Sequence, residues 1–228
     1  MIKNLTVVIL LITSLSLFSQ ERQDSLSTLE RQQYDPGDHE LLFMPTAYTM
    51  QKGKAYFSDY ELFFLNLTYA PSSRTHIGTF LLFPIIDTFV ETITIGLKQN
   101  YYSSEYFSAA FLGAFTPKNR DYAVGNVFSF GRKKASFHMG FIAAGVPDDE
   151  VQGIIMLGGR VDLSDKLAGI AEYTNATSTS GSDFYGFLSF GIRFHSQNVA
   201  WDLAAVRALT NKSGKLLFLP LLKATYCF

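Results

Sequence analysis

Residues 183–195 read Asp-Phe-Tyr-Gly-Phe-Leu-Ser-Phe-Gly-Ile-Arg-Phe-His. Phe184, Gly186, Leu188, Phe190, Ile192 and Phe194 fall on even positions, and Asp183, Tyr185, Phe187, Ser189, Gly191, Arg193 and His195 on odd ones. In an extended strand successive side chains point to opposite faces. One face of this stretch is therefore apolar and aromatic, and the other is polar or small. The same split recurs along the chain. Phe137, Met139, Phe141 and Ala143 oppose Ser136, His138 and Gly140, and Ile93, Ile95 and Leu97 oppose Thr92, Thr94, Gly96 and Lys98. Val151, Ile155, Leu157 and Val161 oppose Gln152, Arg160 and Asp162. Tyr122, Val124, Phe128 and Phe130 oppose Asp121, Gly125 and Ser129, with Asn126 the exception on the apolar side.

Turn signals punctuate these runs. Short ones near 71–74, 102–104, 131–133, 164–166 and 196–198 interleave with longer ones near 84–90, 117–120, 146–150, 176–182 and 209–213. That rhythm is expected of an up-and-down antiparallel transmembrane β-barrel, with short turns on the periplasmic side and longer loops outside. About twelve strands are counted, with ten as the fallback. Most approach the 9–11 residues that a tilted strand needs to cross a bilayer. The fallback exists because residues 54–70 read equally as one long strand, a hairpin, or a strand plus a helical turn. The fold class is thus all-β, a closed barrel.

Composition agrees with an apolar exterior and a polar interior. Of 228 residues only 17% are charged, below the roughly 25% of soluble domains, and 15% are aromatic. Mean hydropathy is only +0.11, because a barrel needs apolar side chains on one face alone. A net charge of -1 offers no basic excess for nucleic acid. The single Cys cannot form an internal disulfide framework or a multi-Cys zinc site.

The two termini add compartment signals. Lys3, an uncharged apolar run from Leu5 to Leu17, and Phe18-Ser19-Gln20 follow the order of a secretory signal peptide. Residues 1–19 are read as that signal, 20–38 as a flexible polar tail with a helical turn near Leu26–Arg31, and 39–228 as the barrel. No later run approaches the roughly 20 apolar residues of a spanning helix. The last strand, 215–227, places Leu222, Ala224, Tyr226 and Phe228 on one face and Lys223, Thr225 and Cys227 on the other. Tyr226 with the terminal Phe228 resembles the insertion signal of bacterial outer-membrane barrels. The expected partners are therefore outer-membrane lipid and the barrel-assembly machinery, with oligomeric state left open. Pro220 lacks a ladder donor, so a bulge is expected there.

Residues 42–47, Leu-Phe-Met-Pro-Thr-Ala, precede Lys52-Gly53-Lys54-Ala55-Tyr56, Tyr60-Glu61-Leu62 and Tyr69-Ala70. This order resembles the opening of uncharacterised outer-membrane β-barrel proteins from Bacteroidota-type bacteria. There a Pro-Thr-(Ala/Gly) element and a Lys-Gly turn precede the first aromatic hairpin. The resemblance spans roughly residues 41–80. It implies a membrane barrel and brings no catalytic residues.

Candidate chemistry is confined to the inward face. The four histidines are His39, His76, His138 and His195, with no His-x-x-x-His or Cys/His cluster, so no metal or cofactor is expected. No Gly-x-Ser-x-Gly occurs either. The register places Asp59, Glu61, His76, Lys98, His138, Arg160, Glu172, Arg193, Asp202 and Lys223 inside. Mixed signs suit either an ion network that fills a narrow barrel or a polar lumen for a small solute. The expected function is a non-enzymatic outer-membrane barrel, a narrow channel or binding site for a small or lipidic molecule. Its rivals are a lipid- or lipopolysaccharide-modifying enzyme and a soluble periplasmic lipid-binding barrel. The soluble form would put Phe184, Leu188, Phe190 and Ile192 inside, with Arg193 and Asp202 outside. Cell fractionation separates these: the protein should need detergent for extraction and show heat-modifiable gel mobility. Recovery in the soluble periplasmic fraction would contradict the membrane reading.

Overall fold

The computed structural model describes residues 35–61, 63–82, 89–132, 134–146, 151–176, 184–210 and 218–228. They form twelve strands: β1 (Ala55–Tyr60), β2 (Phe64–Ser72), β3 (Thr75–Leu82), β4 (Thr94–Ser103), β5 (Phe107–Thr116), β6 (Asp121–Arg132), β7 (Ala135–Gly145), β8 (Gln152–Ser164), β9 (Leu167–Ala176), β10 (Phe184–His195), β11 (Val199–Thr210) and β12 (Leu219–Cys227). Each pairs antiparallel with its sequence neighbours, and β1 pairs with β12 to close the barrel. The seam is fastened at one end by reciprocal backbone bonds, Ala55 N to Phe228 O at 3.0 Å and Phe228 N to Ala55 O at 2.9 Å. Closure leaves no unpaired strand edge, the condition for strands in hydrocarbon. The signal-peptide and helical-turn readings and most of the tail lie outside the described residues.

The period-two split sets which face meets the lumen. Arg193 and Asp202 are 0% and 1% exposed, whereas Phe190 and Ile192 are 48% and 43% exposed. A soluble lipid-binding barrel requires the reverse, so that alternative is corrected by the structure. Burying two charges while leaving those apolar groups outside is favourable only where the outside is itself apolar.

Residues 54–70 resolve as the β1–β2 hairpin. Glu61 takes a left-handed φ of 57° in the connecting turn, and Phe63 N bonds to Tyr60 O at 3.0 Å. The bulge expected at Pro220 does not form: Pro220 pairs with Ala205 in a continuous register. β1 is short and pairs β12 only as far as Tyr60 with Lys223. Pro220 therefore sits beyond the β1 ladder, where a missing donor costs little. Register irregularities of the C-terminal half lie instead between Asp162 and Ser164 and between Phe184 and Gly186. Gly186 has φ 140°, and a Cβ there would lie 1.9 Å from Thr174 O, so the bend demands glycine.

Two ends are distinguishable. At the turn end lie the β2–β3, β4–β5, β6–β7, β8–β9 and β10–β11 connections, the start of β1 and Phe228. At the loop end lie the remaining connections, including a 3-10 turn at Phe89–Thr92. Aromatic rings gather outside the turn end. Phe107 meets Phe130 at 5.0 Å, and Tyr226 stacks on Phe228 at 5.8 Å. Tyr101, Tyr102 and Tyr106 are exposed beside them.

Placing Arg at Phe190, mid-strand on the outer face, should lower stability in a bilayer by about 2–4 kcal/mol. Denaturant-titrated folding into vesicles measures it, and an unchanged midpoint would contradict the assigned face.

Candidate functional site

The lumen is occupied by the chain's own residues 35–50. β1 starts at the turn end, so the segment before it is delivered there and folds back into the barrel. It forms a compact lobe in which Glu40 bridges Pro45, and Leu41 N bonds to Met44 O at 2.8 Å. Leu41, Leu42, Met44 and Ala47 are buried against Ala110, Val127, Met156 and Ile170 of the wall. Thr49 Oγ1 reaches Ser73 O at the turn end at 2.6 Å. Asp35 and Pro36, assigned from the sequence to the flexible tail, are likewise buried. Among the described residues the lobe includes Asp35, which pairs with Arg160 and lies 3.6 Å from Arg193. Residues 39–50, read as the opening of the barrel, contribute no strand.

An irregular segment has no ladder to satisfy its backbone, so the wall must supply partners. Cations serve the carbonyls. Arg193 donates from Nη1 to Gly37 O and Glu40 O at 2.6 and 3.1 Å and from Nη2 to Leu41 O at 2.8 Å. Lys223 donates to Leu41 O and Leu42 O at 2.9 and 3.0 Å. Lys98 donates to His39 O, Thr46 O and Tyr48 O at 2.9, 3.1 and 2.8 Å. Acceptors serve the amides. Glu172 Oε1 accepts from Phe43 N and Met44 N at 3.1 Å, Ser129 Oγ from Ala47 N at 2.9 Å, and His76 Nε2 from Met50 N at 2.8 Å.

Carboxylates of the lobe complete the network. Asp35 and Asp38 both pair with Arg160, the first at 2.5 Å. Glu40 pairs with Lys223 at 2.8 Å and accepts from Ser58 Oγ and Tyr60 OH. Burial opposes the Glu40 charge, but Lys223 and His39 outweigh it and hold the carboxyl well below the usual carboxylate range. Burial also holds His39 down to about 4, so that ring is neutral at pH 7. Arg193 and Asp202 form a two-pronged pair at 2.7 and 2.9 Å within the wall.

The structure thus brings His76, Lys98, Glu172, Arg193 and Lys223 onto the lobe's backbone, Arg160 onto its carboxylates, and Asp202 behind Arg193. His138 bonds Ser129 Oγ at 2.7 Å and Ser136 Oγ at 2.8 Å, a Ser-His-Ser chain that sequence spacing did not reveal. Among the described residues no carboxylate orients His138, and Ser129 is occupied with Ala47, so the chain positions the lobe. Two expected sites are corrected. Asp59 shares its strand face with Phe57, opposite the buried Tyr56, Ser58 and Tyr60, and Glu61 is exposed in the turn. A one-residue change of register exchanges the faces of a strand. Tyr56 and Tyr60 take the inner face because their hydroxyls meet Asn66 and Glu40. Tyr226 and Phe228 lie on the outer face at the seam.

Beside the lobe lies a cavity of about 390 Å³ against β2–β7, bounded by His39, Phe43, His76, Phe80, Lys98 and Leu112 among others. Toward the loop end a second cavity of about 450 Å³, with Thr116, Asp121 and Gln152, shares Thr94, Ala114 and Ala123 with it.

This closed twelve-strand architecture is similar in fold to solved porins. It matches the KdgM porin solved in complex with disordered oligogalacturonate, with TM-score 0.56 and 8% identity over 77% of this chain and 98% of that one. It also matches the NanC porin, with TM-score 0.51 and 7% identity over 76% of this chain and 98% of that one. At these identities the likeness is one of fold. No family and no curated protein matches the sequence.

Replacing Arg193 by Met takes the two-pronged partner from Asp202 and a donor from each of three lobe carbonyls, and should cost about 3–5 kcal/mol. Replacing Asp202 by Leu as well should recover part of that loss. A double-mutant cycle in vesicle unfolding measures the coupling, and strict additivity would contradict the pairing.

Proposed function

We propose that this protein is an outer-membrane barrel of the porin type, non-enzymatic, whose passage is obstructed by residues 35–50, and that it binds or admits a small molecule from the loop end. The observation that carries this reading is the lobe itself. It occupies the turn-end side of the lumen, while one cavity remains beside it and a second, sharing Thr94, Ala114 and Ala123 with the first, lies toward the loop end. Porin-type relatives in fold, one of them bound to an oligosaccharide, support a solute-handling role. The apolar outer face supports a membrane location, and the sequence of residues 1–19 supports export through a cleaved signal. The outward aromatic pair Tyr226 and Phe228 at the barrel seam supports delivery by the barrel-assembly machinery. A source among Bacteroidota-type bacteria rests on the motif of residues 41–80.

The enzyme alternative has one specific observation near it, the His138 chain. Its second nitrogen goes to Ser129, which holds Ala47 N, so Ser136 lacks the oriented base of a hydrolase.

Conductance in planar bilayers tests the obstruction. The intact protein should pass little current. Deletion of residues 35–50 should raise single-channel conductance severalfold, and replacing Glu40 and Asp35 by Ala should produce intermittent opening. Equal conductance of intact and deleted proteins would contradict the proposal.

A further inference from the structure

The inward face changes character along the barrel. Near the turn end it is charged and engaged with the lobe. Above that level, Phe80, Leu112, Ala114, Ala123 and Ile142 bound the 390 Å³ cavity with apolar groups. The rows can be read from the pairing: His76 lies opposite Lys98, then Gly78 opposite Gly96, then Phe80 opposite Thr94. The two glycines remove side chains from the middle row. A Cβ added at Gly96 would meet nothing nearer than Gly78 O at 4.0 Å, so Gly96 faces open space.

The floor of this chamber carries two unmet demands. His76 is 3% exposed, and its Nε2 accepts from Met50 N, so a neutral ring keeps its proton on Nδ1. That Nδ1 has no hydrogen-bond partner. A buried donor without an acceptor is costly and calls for an explanation. Lys98, directly across the pairing, gives its three bonds to neutral carbonyls. Among the described residues no carboxylate lies within 4.0 Å of its ammonium group, whereas Arg160, Arg193 and Lys223 each have one. The base of the chamber therefore holds the unpartnered His76 Nδ1 and a cation with no carboxylate in contact, its charge offset only at longer range by Glu40, with apolar walls above.

We infer that the chamber binds an amphiphilic monocarboxylate, its carboxylate beside His76 and Lys98 and its hydrocarbon chain along Gly96, Leu112, Ala114 and Ile142. The carboxylate accepts the His76 Nδ1 proton in a hydrogen bond and adds a close counter-charge for Lys98 to the more distant one of Glu40. The chain occupies surface that would otherwise face water within the lumen. A neutral sugar would meet the donor but leave the cation unpaired and the apolar wall wet. This inference rests on the porin-type reading for access from the loop end, but it names the ligand, and binding is measured separately from conductance.

The test is calorimetric titration of the intact protein, held in amphipol, with octanoate. Saturable binding is expected, strengthening about fourfold per methylene from hexanoate to octanoate. Octan-1-ol, with a similar chain and no charge, should bind at least fivefold more weakly. Gly96→Val, which fills the open middle row, should weaken octanoate at least tenfold while leaving vesicle unfolding unchanged. The Gly96→Val titration also reports any partition into the amphipol. Absence of saturable binding, equal affinity for octanoate and octan-1-ol, or wild-type affinity in Gly96→Val would each overturn the assignment, and a closed or open conductance trace would bear only on the channel reading.

Discussion

Every backbone N–H and C=O that leaves water must find another partner, and this constraint organises the whole molecule. The strands meet it by closing on themselves, with β1 against β12 as the last pair. Residues 35–50 cannot meet it that way, because the barrel already uses both edges of every strand. Their carbonyls and amides are met instead by long charged side chains from the wall. Lys and Arg suit this task since they carry several donors and no acceptor, and Glu172 suits the reverse. The lumen charges are therefore neither a bare ion network nor the lining of an open pore. They are the hydrogen-bonding surface for a captured piece of main chain.

That arrangement divides the lumen. The polar half is spent on holding the lobe, and the apolar half is taken up by it only in part, through Leu112 and Ile142. Function then depends on the boundary between them, where His76 and Lys98 face both the lobe and the chamber. A ligand at this boundary touches residues that also hold Met50, His39 and Tyr48. Occupancy of the chamber and retention of the lobe are thus physically adjacent, and one residue pair serves both.

The barrel was legible because its signal is repetitive. Runs such as Phe137–Ala143 and Phe190–Phe194 impose a two-residue period that only strands satisfy, and the strand spans followed within a few residues. The consequence of Pro220 depends on where β1 ends, a fact of pairing and not of local sequence. The register that puts Asp59 and Glu61 inside is one residue out for β1, where Tyr56, Ser58 and Tyr60 are the buried set. There the inner face belongs to tyrosines, whose aromatic bodies hide hydroxyls bonded to Asn66 and Glu40. The lobe was hidden for a deeper reason. Its contacts join residues more than a hundred positions apart, as between Arg193 and Gly37, and no period announces them. A hint did exist in Leu41-Leu42-Phe43-Met44, an apolar run bounded by Pro36-Gly37 and Pro45 that is too short and too broken to be a spanning strand.

Amide hydrogen exchange on residues 41–47 of the folded, bilayer-reconstituted protein tests the central claim most directly. Leu41, Phe43, Met44 and Ala47 amides are bonded to Met44 O, Glu172 and Ser129 Oγ. Their exchange should be slowed to the range of neighbouring strand amides such as those of β11. Exchange at the rate of an unstructured peptide would mean that the lumen is empty and would contradict the account.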